Sequence, residues 1–380
     1  MTILFLVSFG LLAYTYVLYP LVIVGYGALS RTSHRMDEFH LPFVTLIISA
    51  YNEEKVIVEK LRNALALDYP RERLQIIVAS ESTDETHALA ELFMREGIEL
   101  RAFADRRGKS ATLARVIPDT RGDFLVFSDA NALYRTDAIR KLVRNFSDPS
   151  VGAVVGQLEY RDHAASVGAQ GEGVYWAYDR WLRRHVNRVP GLVPGVNGSI
   201  FAIRKSLYLP FSEVRGDDYE LCTRIAIRGY RVVSEPEAIA EERADESAAQ
   251  QFKRKMRLVR WNTMSTLLLL REALSFRNWP IAFQLVSHRL LRYLAPVWLV
   301  LGFASSAALA AQFDSFATIV MLQGAFYAIA LFGWLADTAG LRLPRPLLVP
   351  SYFLLVNSAA LAGLFSAIRY GQATTWQKAR

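Results

Sequence analysis

The chain has 380 residues and a formal net charge of +8; 52% of its residues are hydrophobic and 21% charged. So large an apolar share beside ordinary charge excludes a disordered polypeptide and points to two materials joined in one chain. The single cysteine, Cys222, excludes an intramolecular disulfide and a cysteine-cluster metal site. No nucleic-acid-binding motif accompanies the positive charge, so no nucleic-acid partner is expected; membrane lipids and a diphosphate ligand are the simpler anionic partners.

In chain order, the first 30 residues come first: Thr2 to Ser30 contains no Asp, Glu, Lys, Arg or His. Tyr293 to Phe313, Ser315 to Ala336 and Pro346 to Ile368 repeat that pattern near the end. Each reaches the roughly 20 residues a helix needs to cross the hydrocarbon of a bilayer. The first run lacks a charged start and is followed by Arg31, His34 and Arg35 rather than a cleavage signal, so it reads as a retained anchor with its C-terminal end in the cytoplasm. Arg342 and Arg345 between the last two runs agree with a cytoplasmic central domain, whereas Arg369, Lys378 and Arg380 in the tail oppose that orientation. Between Asn262 and Ser287 an apolar stretch broken by Arg271, Glu272 and Arg277 reads as helices lying in the membrane interface. The expected organisation is an anchor over 1–35, a cytoplasmic domain over 36–250, basic and interfacial helices over 251–292, and three spans over 293–380, in a multi-pass inner-membrane protein.

The central part alternates apolar runs with helical patterns. Phe43 to Ala50, Leu74 to Ala79, Ile98 to Phe103, Asp123 to Ser128 and Val151 to Gly156 read as strands, with helices through about Leu67 and Arg95. Continuous Val/Ile/Leu strands between helices require a sheet covered on both faces, hence an α/β class with a mostly parallel, open sheet. No G-x-G-x-x-G follows the first strand, which argues against a dehydrogenase-type dinucleotide site.

Open α/β sheets bind ligands beyond the carboxyl ends of their strands. Polar clusters stand at three such ends: Tyr51 to Glu54, Ser80 to Asp84, and Ser128 to Asn131. Any one is explained by turn chemistry; the recurrence points to a site. Asp129 ends an apolar strand and suits Mg2+ or Mn2+ together with phosphate oxygens. Lys109, after Gly108 at a helix start, can meet a phosphate. Asp217 and Asp218 precede an amphipathic helix, where carboxylates either complement the helix dipole or take a proton from a substrate hydroxyl; of the two, Asp218 is the expected base. Arg257 and Arg260 share one face of a basic segment that ends in Trp261, an aromatic platform for a ring.

In this order the segments resemble the inverting family 2 glycosyltransferases, the membrane-anchored group that includes cellulose, hyaluronan and exopolysaccharide synthases. The resemblance covers about Phe43 to Pro296. It implies a GT-A-like, Rossmann-type domain combined with transmembrane and interfacial helices. By it, Tyr51, Glu53, Ser80, Glu81, Lys109, Asp129, Arg257, Arg260 and Trp261 contact a nucleotide sugar, expected to be UDP-linked. Gly195-Val196-Asn197-Gly198-Ser199 resembles the acceptor loop, so Asn197, Gly198 and Trp261 are expected to meet a saccharide or lipid-linked acceptor. Asp129-Ala130-Asn131 resembles the D-x-D metal site, and Asp217-Asp218 the acidic pair whose second member is the base.

Three positions depart from the family pattern. Ser80 stands where the family has an aspartate, with Glu81 one place on; Asn131 supplies only a neutral metal ligand; Arg257 replaces the glutamine of Q-x-x-R-W. Two other readings remain at this stage: transfer of one sugar to a polyprenyl-linked acceptor, and a non-catalytic nucleotide-binding membrane subunit.

Overall fold

The computed structural model describes residues 1–30, 33–161, 178, 180–209, 217–243, 248–339, 341 and 345–370. Its strands are β1 (Val44–Ala50), β2 (Leu74–Ser80), β3 (Ile98–Ala102), β4 (Phe124–Asp129), β5 (Leu133–Tyr134), β6 (Val151–Arg161), β7 (Phe201–Arg204) and β8 (Arg231–Arg243). They form one sheet in the order β3-β2-β1-β4-β7-β6-β8-β5. Pairings β3-β2, β2-β1, β1-β4 and β6-β8 are parallel; β7 runs antiparallel to both β4 and β6, and β5 antiparallel to β8. This is the mostly parallel α/β domain expected from the apolar runs. The five anticipated strands are present, β6 running on to Arg161, while β5, β7 and β8 were not anticipated.

The central strands β1, β2 and β4 are buried on both faces, and their alternation divides the core. Leu46, Ile48, Ile76, Val78 and Val126 pack with Ile57 and Leu61 of the Ile57–Leu65 helix. Ile47, Ile77, Leu125 and Phe127 pack on the other side with Leu113, Val116 and Leu221. The register then sets the strand ends level: Ser49 lies opposite Asp129 and Ala50 opposite Ser80. Side chains that follow these strands therefore share one edge of the sheet.

Away from that edge, Arg144 and Glu235 form a buried ion pair, Nη2 to Oε2 at 2.9 Å, extended by Asn145 and by Glu237. Replacing Arg144 by Ala leaves the Glu235 carboxylate buried without its cation, and we expect a loss of about 3–5 kcal/mol of stability. A lower thermal midpoint of the detergent-solubilised variant is the measurement that checks this.

Among the described residues, four helices are long and apolar enough to cross a membrane: Thr2–Leu29, Trp279–Ala310, Asp314–Ala336 and Leu347–Arg369. The second begins earlier than the expected Tyr293, running on from Trp279 through a π-helical segment at Leu285–Leu290. Before it, Ala248–Ser275 is one long helix that carries the basic segment. The last apolar helix lies against this one at Gly363, where an added Cβ would stand 2.6 Å from the Met256 carbonyl oxygen. The N-terminal helix packs Tyr19 and Ile23 onto Leu182, Val186 and Leu192, and Gly27 lets it approach the His185 carbonyl. Both apolar ends of the chain thus hold elements that flank the Gly195 to Ser199 loop and the basic helix. Arg31, Arg342, Lys378 and Arg380, used above to orient the spans, lie outside the described residues.

Candidate active site

After β1 the chain turns at Asn52, whose φ of 53° lies in the left-handed region that asparagine tolerates. The Asn52 N–H donates to Ser82 Oγ at 2.9 Å, and its Oδ1 accepts the Thr83 N–H at 2.8 Å. The Arg106 guanidinium covers the Tyr51 ring at 4.1 Å. Glu53 is buried and its N–H donates to Thr86 Oγ1 at 2.8 Å. At the end of β2, fully buried Ser80 shares hydrogen bonds with Ser82 Oγ at 2.8 Å and His87 Nε2 at 2.9 Å.

Glu81 faces the basic turn. Its Oε2 accepts the N–H groups of Arg107 at 3.0 Å and Gly108 at 2.8 Å, while Oε1 accepts the Thr112 hydroxyl at 2.5 Å. Gly108 adopts φ 95°, a conformation that a Cβ would strain. This shape delivers Lys109 to the start of the Lys109–Val116 helix, where its ammonium pairs with Asp129 Oδ1 at 2.8 Å.

The other Asp129 oxygen, Oδ2, lies 3.2 Å from Ser199 Oγ, which also hydrogen-bonds Glu242 Oε1. Next to Ser199, a Cβ placed on Gly198 would lie 3.2 Å from Asp218 Oδ2. Asp129 and Asp218, distant in sequence, therefore both border the Gly198-Ser199 turn. Asn197 shapes the same turn by accepting the Ser199 N–H at 3.1 Å. Asp217 and Asp218 open the Asp217–Ile227 helix. Arg224 anchors that helix, pairing with Glu220 at 3.1 Å and with Glu272 of the long helix at 3.0 Å. Gly216 and the Asp217 side chain lie outside the described residues.

Behind Asp129 sits Lys60, fully buried, donating to the Ala132 carbonyl and lying 4.3 Å over the Tyr134 ring. Burial pushes its ammonium down to about 7, against the opposing pull of the Asp129 and Glu242 carboxylates. Tyr134 donates to the carbonyls of Phe127 at 2.7 Å or Ser199 at 3.2 Å, tying the Gly195 to Ser199 loop to β4. The basic helix reaches this edge through Arg254, which donates to the Tyr160 hydroxyl at 3.3 Å; Tyr160 pairs with Glu242 in the β6–β8 register. Arg257 lies 5.8 Å over Trp261 on the same helix. Arg260 is half-buried there, and Asn131 is exposed.

Sequence reading passed over Lys60, Ser199 as a site residue, and Glu242. Ser199 lay inside the quoted glycine loop; Lys60 and Glu242 sit in segments that carry no motif. Among the described residues no three His, Cys, Asp or Glu side chains cluster. A hard cation here would take Asp129 with further oxygen ligands, and the donors that converge, carboxylates and one hydroxyl, are of the kind Mg2+ and Mn2+ accept.

Comparisons with known proteins bear on the family and the fold. The description "Glycosyltransferase like family 2" matches residues 42–261. A beta-monoglucosyldiacylglycerol synthase from a Nostoc species is 30% identical over 170 residues, 43% of this chain and 36% of that protein. A poly-beta-1,6-N-acetyl-D-glucosamine synthase from Staphylococcus aureus is 24% identical over 257 residues, 66% of this chain and 61% of that protein. The chain thus spans only part of the length of these curated relatives. A mannosyltransferase from Pyrobaculum calidifontis, solved with GDP-Man and Mn2+, shares the fold with a TM-score of 0.72 at 23% identity, over 96% of this chain and 99% of that one.

Proposed function

This chain belongs to the glycosyltransferase-like family 2, and we propose that it transfers a sugar with inversion from a nucleoside diphosphate sugar, UDP-linked, to a saccharide or lipid-linked acceptor at the cytoplasmic face of a membrane. The observation that carries the reading is the placement of the Asp129–Lys109 pair beside Ser199 and of Asp218 beside Gly198, on one turn. A phosphate-binding pair and a carboxylate beside a glycine loop are what a single displacement at an anomeric carbon needs.

In this reaction Asp218 takes the proton of the acceptor hydroxyl as its oxygen attacks the anomeric carbon, and the bond from that carbon to the diphosphate oxygen breaks. Lys109 faces the negative charge that grows on the departing diphosphate. A divalent cation held by Asp129 would supply further charge neutralisation on the same phosphates. Glu81 fixes the turn that aims Lys109, while the Tyr51–Arg106 pair and Ser80 line the nucleotide side. The four apolar helices and the packing of the N-terminal helix onto Leu182, Val186 and Leu192, just before the Gly195 to Ser199 loop, favour an acceptor delivered along the bilayer. Synthases of a glycolipid and of a polysaccharide both resemble the chain, so the acceptor class is decided by product sizing: a single new glycolipid, or a ladder of polymer.

The direct test screens nucleotide sugars with the full-length protein for Mn2+- or Mg2+-dependent release of nucleoside diphosphate. Release with an acceptor-bound sugar product supports the proposal; no release from any donor, with the protein folded and acceptor present, rejects it. A second expectation follows from the close approach at Gly198. A methyl group there must push the Asp218 carboxylate by a few tenths of an ångström. We expect Gly198→Ala to lower turnover about tenfold with little change in donor KM, as measured by steady-state kinetics, because small displacements of a reacting group are costly.

A further inference from the structure

We propose that Ser199 Oγ ligates the divalent cation beside Asp129, and that Glu242 is the positioning residue that turns the Ser199 hydroxyl for this purpose. The proposal rests on the transferase reading of the same site, but its argument is local. Ser199 Oγ lies within hydrogen-bond distance of two carboxylate oxygens, Asp129 Oδ2 at 3.2 Å and Glu242 Oε1 at a shorter distance. A hydroxyl carries one hydrogen and can donate to only one of them. The shorter contact takes it, so Glu242 accepts the proton and the Ser199 lone pairs face Asp129 Oδ2. Two lone-pair-bearing oxygens held in that way repel unless a cation lies between them.

The spacing fits. Adjacent ligands of an octahedral Mg2+ site, with bonds of about 2.1 Å, stand about 3 Å apart. The other Asp129 oxygen is already committed to Lys109 at 2.8 Å, which leaves Oδ2 as the ligating atom. Ser199 and Glu242 are both buried, so the arrangement is held by packing, not by an exposed chance contact. Asn131, by contrast, is exposed and neutral. The second carboxylate of the site thus comes from β8, acting through a hydroxyl. An outer carboxylate that orients a metal ligand typically matters 10- to 100-fold in affinity, a range of about 10–100 in Kd.

The experiment titrates Mn2+ alone into the full-length, detergent-solubilised protein and follows free Mn2+ by electron paramagnetic resonance. We expect Ser199→Ala and Glu242→Gln each to weaken Mn2+ binding by about tenfold or more, with metal-free thermal midpoints near that of the unmodified protein. Ser199→Cys keeps the size of the side chain but offers a soft ligand, and should lose Mn2+ affinity while gaining Zn2+ affinity relative to the unmodified protein. That exchange reports direct ligation and would not arise from a packing defect. Unchanged Mn2+ affinity in Ser199→Ala and Glu242→Gln, with Asp129→Ala abolishing binding, overturns this proposal and leaves the transferase reading intact. Mn2+ binding by none of the proteins overturns it as well, and donor cleavage measured on the unmodified protein then shows whether the transferase reading survives without it.

Discussion

Asp218→Asn is expected to retain nucleotide and Mn2+ binding while losing transfer by about 10²- to 10⁴-fold, the usual contribution of a positioned base. Asparagine has nearly the shape of aspartate, so it can occupy the space beside Gly198 and leave the Asp217–Ile227 helix seated on Arg224 and Glu272. What it lacks is a basic oxygen. The acceptor hydroxyl would still lie close to the anomeric carbon but would have to attack with its proton in place. Calorimetric titration with UDP and transfer of radiolabelled sugar separate the two effects. Near-normal transfer by Asp218→Asn would remove Asp218 from the role of base. A parallel loss of UDP binding would show instead that the substitution had disturbed the donor side.

The sheet and its site were legible to different degrees, for physical reasons. β1, β2 and β4 are covered on both faces, so they read as mostly apolar runs, and the polar clusters around Asn52, Ser80 and Asp129 stood out at their carboxyl ends. β8 had no such signature. Its Glu235, Glu237, Glu241 and Glu242 interrupt any apolar run, yet each carboxylate is met from elsewhere in the fold: Arg144 faces Glu235 and Glu237, Arg135 and Arg161 face Glu241, and Ser199 bonds Glu242. Pairing across such sequence distances leaves no local pattern to read. Lys60 was hidden in the same way. Its helix is amphipathic, and nothing local tells a lysine on the buried face, capped by the Ala132 carbonyl and the Tyr134 ring, from one on the solvent side. The glycine loop was recognised by likeness, but its purpose emerges only where Gly198 admits Asp218 and Ser199 touches Asp129. The long apolar helices were visible from composition. The early start of the second one at Trp279 was not, because His288, Arg289 and Arg292 interrupt the apolar pattern; Arg289 lies over the Tyr219 ring at 4.4 Å and so extends the helix against the domain.

Asp129→Ala should be about as damaging as loss of the base, since two functions end on one carboxylate. Oδ1 holds Lys109 at 2.8 Å, and Oδ2 faces Ser199. Without the side chain, Lys109 loses the anion that aims it at the phosphates, and Lys60 loses one of the two carboxylates that favour its charged form. Transfer should fall by on the order of 10³-fold, comparable to removing a principal stabiliser of transition-state charge, and Mn2+ binding should be lost. Asp129→Asn separates the contributions: it keeps the shape and a neutral oxygen near Ser199, so the protein should fold with an unaltered thermal midpoint, yet bind Mn2+ weakly and turn over slowly. If either variant bound Mn2+ as tightly as the unmodified protein, Asp129 would not be the metal's anchor, and the cation would have to sit wholly on the phosphates of the donor. Nucleoside diphosphate release measured against Mn2+ concentration makes the distinction: a merely weakened site regains rate at high Mn2+, whereas a lost one does not.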